Sequence, residues 1–201
     1  MQHLALRVIR EEHHALAAML RSMLLLMEQH RRTGTQPDHG LLRAMLFYVD
    51  EFPERLHHPK ESELLFPQLR RRRPELAPVI DRLEAEHAQG ERAIRQLEHA
   101  LLAYEVMGEP RRVAFQQALE RYVEQYLQHM ATEERVLLPA AEASLDATDW
   151  AVLDEAFAAN RDPLTGHPAE EAYRPLFSRI VRWAPAPIGV GPAIASGGPA
   201  A

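Results

Sequence analysis

The chain has 201 residues and a formal net charge of −6, which suits a single domain with a tail and offers no positive field to attract nucleic acid. It contains no cysteine, which excludes disulfides, thiolate metal sites, iron–sulfur clusters and thiol nucleophiles. Leucine, alanine, glutamate and arginine are abundant, so we predict an all-α fold. Eleven histidines are the unusual feature of the composition.

Four long helices are predicted in chain order, over approximately residues 2–32, 37–73, 74–107 and 110–139. Proline stands at three of the starts and glycine follows two of the ends, which matches the usual capping preferences. Pro53 and Pro59 are expected to interrupt the second helix. Because the connections are short, consecutive helices should be antiparallel neighbours in an up-down four-helix bundle.

The C-terminal part is predicted to be an extension of the bundle. One helix is expected over residues 146–160 and a short one over 170–183. Residues 184–201 contain four prolines and four glycines and should form an irregular tail. We therefore predict a bundle domain over 1–145, a helical extension over 146–183 and a tail over 184–201.

Nothing in the sequence indicates targeting to a membrane. Charged residues interrupt the N-terminus before an apolar targeting segment can form, and the longest apolar run, 23–27, is too short to span a bilayer. We expect a cytoplasmic protein with neither a membrane nor a nucleic-acid partner; its protein partners are unknown.

Polar residues fall on the apolar stripes of all four predicted helices. Helical spacing directs six of them into the core: His13, His57, Glu61, His87, His129 and Glu133. We count the residues from each histidine to the adjacent turn. The counts on the two sides of the three turns are 19 and 20, 13 and 13, and 20 and 19, so they differ by at most one. In an antiparallel bundle all four histidines should therefore lie in one layer, to within about 1.5 Å of rise.

A buried layer of imidazoles and carboxylates is best explained by bound cations, since an unpaired buried charge is costly. Mixed nitrogen and oxygen ligation without sulfur suits iron, manganese or zinc. Three neighbours compete with the preferred residues. His14 competes with His13 but lies on a solvent-facing line, His58 competes with His57 but has no glutamate four residues later, and Glu134 competes with Glu133.

Four segments resemble the hemerythrin-like (HHE cation-binding) family. They are IREEHHAL around His13, FPERLHHPKESELLFP over 52–67, LEAEH ending at His87, and HMATEERVLLP over 129–139. The resemblance covers roughly residues 1–145, and residues 150–190 resemble an extension of bacterial members. It implies two iron ions bridged by carboxylates and an oxo or hydroxo group, with Mn or Zn as alternative metals, and binding of dioxygen, nitric oxide or peroxide.

The resemblance also implies roles for individual residues. His13, His57, His87 and His129 would be terminal ligands, and Glu61 and Glu133 would be bridges. Oxygen-carrying members have histidine where this chain has Glu91. Either Glu91 ligates in its place or a water fills the site, which makes reversible oxygen carriage less expected and a sensing or more reactive site more so. Gly90 either leaves room for a small ligand or permits close helix packing.

The leading interpretation is a non-haem di-iron protein that acts as a sensor, store or scavenger of a small oxidant. The alternatives are a di-iron oxidase or peroxidase and a metal-free interaction module. A ferritin-like site would use Glu-x-x-His pairs, which occur at His14, His57 and His87, but helix 4 has no lone buried glutamate for it. Tyr122 and Tyr126 are predicted to be core residues that can line the site.

Overall fold

The computed structural model describes residues 3–191, and no strand occurs in this part of the chain. Bundle helix 1 is α1, Leu4–Thr33, so the predicted start at Gln2 lies outside the described residues. Bundle helix 2 begins with α2, His39–Val49. Bundle helix 3 is α5, Ala77–Met107, and bundle helix 4 begins with α6, Glu109–Thr132. The predicted all-α bundle is confirmed.

Bundle helix 2 continues through the two prolines that were predicted to interrupt it. After α2 the chain forms a π-helical segment, Asp50–His57, the short α3, His58–Lys60, a second π-helical segment, Glu61–Leu65, and α4, Phe66–Arg72. Bundle helix 4 has the same feature, with π-helical Glu133–Leu137 followed by α7, Leu138–Ser144. A π turn bonds residue i to i+5, so it adds a residue to the turn without breaking the rod.

The apolar core is divided in two by a polar layer. One cluster contains Met19, Met45, Ile94 and Leu119 and lies towards one end of the bundle. The other contains Leu6, Phe66, Leu83 and Leu137 and lies towards the other end. Each bundle helix contributes to both clusters, as antiparallel helices with a shared polar level must. The predicted histidines and glutamates fall between the two clusters in every helix.

The C-terminal extension packs along the outside of the bundle. Helix α8, Ala147–Ala158, begins at Asp146, which forms a capping box with Asp149, and it packs against bundle helix 1. Helix α9, Arg174–Trp183, packs against α2. Residues 184–191 form no helix, and the rest of the predicted tail lies outside the described residues. Within 3–191 no helix combines the length and apolar character that crossing a bilayer requires.

Candidate metal centre

The first half of the polar layer is formed by bundle helices 1, 2 and 4. His13, His57 and Glu61 present ligand atoms that all lie within 4.8 Å of one another. The Nε2 atom of His57 is 3.2 Å from Oε1 of Glu61, and Nε2 of His13 is 3.4 Å from Oε2 of Glu133. Two imidazoles and two carboxylates therefore converge on one point of the core.

The second half contains three histidines and shares the same carboxylates. His58, Glu61, His87 and His129 also present ligand atoms within 4.8 Å of one another. The Nε2 atom of His87 is 3.6 Å from Oε2 of Glu61, and Nε2 of His129 is 3.2 Å from Oε1 of Glu133. Glu61 and Glu133 thus stand between two histidine groups, each with one oxygen near either side.

The carboxylates at the middle of the layer lack hydrogen-bond partners in the described part of the chain. Both oxygens of Glu61 and both of Glu133 are buried without a hydrogen bond, and so is Nε2 of His57. Buried polar atoms are nearly always satisfied, so five orphaned ligand atoms at one point need an explanation. Nitrogen and oxygen donors at this spacing fit bound metal cations, which would satisfy these atoms.

Every histidine of the layer is held from its outer side. In each ring Nδ1 faces a polar partner, and in His13, His57, His87 and His129 Nε2 lies 3.2–3.6 Å from a central carboxylate oxygen, which is the arrangement that orients metal-binding imidazoles. The five pairs are His13 with Glu134 at 3.1 Å, His57 with Glu12 at 2.6 Å, His58 with Glu54 at 3.2 Å, His87 with Ser62 Oγ at 2.8 Å and His129 with Glu86 at 2.7 Å.

Comparison with protein families agrees with this geometry. The model of the hemerythrin HHE cation binding domain matches residues 4–141, more than half of the chain. The chain belongs to the hemerythrin HHE cation-binding family. A comparison with curated proteins finds no match. The matched range contains all seven residues at the centre of this hemerythrin-like layer, whereas α8 and α9 lie beyond it.

The structure brings together six of the residues singled out in the sequence and adds one. His13, His57, Glu61, His87, His129 and Glu133 all meet in the layer. His58 joins them, although the sequence favoured its neighbour. The prediction used the α-helical period, but both π-helical segments of bundle helix 2 flank His58. The additional residue in each π turn changes the phase, so that adjacent histidines both face the centre.

Three other candidates lie outside the layer. Glu91 is exposed and pairs with Arg95, so the structure does not bring it to the centre. His14 is exposed on the outer face of bundle helix 1. Glu134 bonds the outer nitrogen of His13, while its neighbour Glu133, only 1% exposed, occupies the middle of the layer. The third histidine of the second half is thus His58 from bundle helix 2, and Glu91 from bundle helix 3 is not part of the layer.

Gly90 leaves room for the side chain of Glu54 instead of a small ligand. An added Cβ would lie 2.7 Å from Oε1 and 2.9 Å from Oε2 of Glu54. This buried carboxylate accepts hydrogen bonds from the hydroxyls of Tyr122, at 3.1 Å, and Tyr126, and it contacts Nδ1 of His58. The two tyrosines therefore act on the layer through Glu54. The close approach at Gly90 is packing against a polar group.

Burial and charge shift the pKa values of four of the histidines, two downwards and two upwards. Burial, together with neighbouring imidazoles, lowers the pKa of His58 well below its usual value and that of His87 to about 2. Burial also opposes protonation of His129, but the Glu133 carboxylate outweighs it and raises the pKa to about 10. Burial opposes protonation of His57 as well, but the Glu61 and Glu12 carboxylates outweigh it and raise the pKa of His57. Cations that enter the layer must displace these protons.

Two cavities reach the layer from opposite sides. A small one of about 20 Å³, enough for one water-sized molecule, lies beside His13, His57 and His58 and is lined both by apolar side chains, such as Leu16 and Met130, and by polar ones. A groove of about 830 Å³ between bundle helices 3 and 4 leads to His87 and His129. The small cavity thus touches both halves of the layer, whereas the groove reaches only the three-histidine half.

Proposed function

We propose that the protein binds two iron ions in the polar layer, one held by His13 and His57 and the other by His58, His87 and His129. Glu61 and Glu133 would be shared by both ions. The observation that carries the proposal is the ring orientation: five imidazoles bond Nδ1 outward, and four of them point Nε2 at two carboxylates that have no other partner among the described residues.

The donor set supports iron, with manganese or zinc as substitutes. Imidazole and carboxylate ligation without thiolate is common to these metals. A pair of bound irons, bridged by an oxo or hydroxo group, would supply reversible or redox interaction with dioxygen, nitric oxide or peroxide. The chain contributes a rigid environment: the layer lies between two apolar clusters, and each ligand ring is fixed by a hydrogen bond.

The small cavity supports a diatomic ligand or peroxide as the physiological partner. It adjoins both histidines of the two-histidine half, which has fewer protein ligands than the other half. Its volume of about 20 Å³ leaves little room for water beside a small bound molecule. We propose a sensor, store or scavenger of a small oxidant that acts in the cytoplasm. Neither nucleic acid nor membrane is proposed as a partner, since the net charge is −6.

Iron loading with optical spectroscopy tests this function. We expect about two irons per chain and charge-transfer bands of a bridged iron pair. His129→Ala should lower iron uptake and thermal stability, because a metal that binds only the folded state stabilises it. The matched control is His14→Ala, which removes an exposed imidazole. Equal iron content in both variants, or a wild-type protein that binds no iron, would contradict the proposal.

The open groove supports peroxidase activity as a second candidate. Its volume of about 830 Å³ exceeds what a diatomic molecule needs and is in the range of organic ligand sites. In such a reaction peroxide would be reduced to two waters while two phenol molecules each lose an electron and a proton. Steady-state oxidation of a phenol by peroxide tests it: turnover that saturates with phenol and depends on His87 would favour the enzyme over simple ligand binding.

A further inference from the structure

The C-terminal extension contributes buried groups to the two-histidine half of the centre, although it lies outside the matched family domain. Phe157, at the end of α8, is fully buried and packs edge-on against the ring of His57, with centroids 5.8 Å apart. Asn160, two residues after α8, is only 5% exposed. It is the only asparagine in the chain. A buried amide needs partners for both its donor and its acceptor.

Both ends of the Asn160 amide have partners that fix its orientation. Nδ2 donates to Oε2 of Glu12 at 2.9 Å, and Oδ1 accepts from Nζ of Lys60. The same Oε2 of Glu12 lies 2.6 Å from Nδ1 of His57. An ammonium donor on one side and a carboxylate acceptor on the other allow a single amide orientation, so the amide cannot flip without losing both bonds.

The loop that carries Asn160 is anchored independently of it. Asp162 is buried and accepts hydrogen bonds from the hydroxyl of Tyr48 at 2.5 Å and from the backbone N–H of Leu164 at 2.8 Å. Tyr48 belongs to α2, so this contact holds the loop against bundle helix 2 near the small cavity. The position of Asn160 therefore does not depend on its own side-chain bonds.

We infer that Asn160 is a positioning residue for the metal centre, acting on His57 through Glu12. The inference rests on the proposed function. Glu12 bonds His57 through one oxygen, and the amide of Asn160 holds that oxygen in place. The carboxylate keeps the proton on Nδ1 and leaves Nε2 free for a cation. The extension thereby completes the two-histidine half, and the family domain alone lacks this donor.

Zinc binding to the full-length metal-free protein tests the inference. Wild type is expected to take up two Zn²⁺ by calorimetry. Asn160→Leu, which removes the donor at similar volume, should weaken one of the two binding events by up to about 10-fold, the low end of the effect of losing a direct hydrogen-bond partner of a ligand, because Asn160 acts through Glu12. Glu155→Ala, an exposed change on α8, is the matched control and should bind as wild type does. Asn160→Asp keeps the shape but replaces the donor with an oxygen and should also weaken one event.

The histidine rings supply a readout that a purely structural role would not change. In long-range proton–nitrogen NMR spectra of the zinc-loaded protein, the Nδ1–H signal of His57 should move in the Asn160 variants. That of His129, whose partner is Glu86, should stay. If both variants bind two Zn²⁺ as wild type does and the His57 signal is unchanged, the role of Asn160 is overturned alone. If wild type takes up no Zn²⁺, the two-cation centre is overturned with it.

Discussion

Gly90→Ala is expected to destabilise the protein, although alanine is the better helix former. The gain in helix propensity is about 1 kcal/mol. The new Cβ would lie 2.7 Å from Oε1 of Glu54, so the carboxylate must move. It bonds the hydroxyls of Tyr122 and Tyr126 and contacts Nδ1 of His58. Hydrogen bonds to a charged group contribute about 1.5–3 kcal/mol each, so losing two leaves a net destabilisation of about 2–5 kcal/mol.

Thermal unfolding of the metal-free protein measures this effect. For a chain of this size the melting temperature should fall by about 4–20 °C, from about 2–4 °C per kcal/mol. Gly40→Ala is the matched control, because the nearest atom to its added Cβ is the guanidinium of Arg179, an exposed side chain that can move away. It should be neutral or stabilising by less than about 1 kcal/mol.

Combining Gly90→Ala with Glu54→Ala tests whether the contact with Glu54 causes the destabilisation. In Glu54→Ala the carboxylate is absent, so Gly90→Ala should become stabilising by up to about 1 kcal/mol. Zinc affinity at the three-histidine half should fall in Gly90→Ala, since displaced Glu54 no longer orients His58. The melting temperature of Gly90→Ala could instead rise as that of Gly40→Ala does, with zinc binding unchanged. This result would show that the contact with Glu54 does not require a glycine at position 90.

Three further outcomes follow from the same geometry. His58→Ala should weaken zinc binding by more than the 10–100-fold typical of an outer hydrogen-bond partner, whereas His14→Ala should not change it; equal calorimetric titrations would place His58 outside the centre. Glu91→Ala should alter stability by less than about 0.5 kcal/mol and leave zinc uptake intact. Glu86→Ala, which frees Nδ1 of His129, should reduce zinc uptake. A loss of zinc uptake in Glu91→Ala but not in Glu86→Ala would indicate that Glu91 is a ligand. Burial raises the pKa of Asp162 from 3.8 to about 6, so its stabilising contribution is complete below pH 3.8 and is lost as the pH rises through 6. Denaturant unfolding of metal-free protein should show wild type losing up to about 3 kcal/mol relative to Asp162→Asn between pH 4 and pH 8, and parallel curves would contradict this.

The architecture and the level of the centre were predictable because they depend on local periodicity. Apolar residues at helical spacing define one face of each helix, and prolines and glycines mark the ends. Equal residue counts on the two sides of each turn then place His13, His57, His87 and His129 at one height, where the structure has them. This prediction needed only the antiparallel order of the helices and not the packing of individual side chains.

The ligand set was harder to predict because it depends on helical phase. His58 lies one residue from His57, a step that turns a side chain by about 100° in an α-helix and away from the shared face. The π-helical segments on both sides of His58 lower the turn per residue and change the phase of the helix, so that both rings reach the layer. Glu91 was expected as a ligand from the family resemblance alone, and the structure places it at the exposed surface of bundle helix 3 beside Arg95.

By itself the sequence determined the helical class, the antiparallel order and the polar layer, since each follows from the spacing of residues along one helix. Only the tertiary structure decided which groups surround that layer. Asn160 reaches Glu12 across 148 residues of chain, and Glu54 meets Tyr126 across 72. Such partners share no periodic pattern with the residues they bond, because packing between separate helices, and not the spacing within any one of them, brings them together.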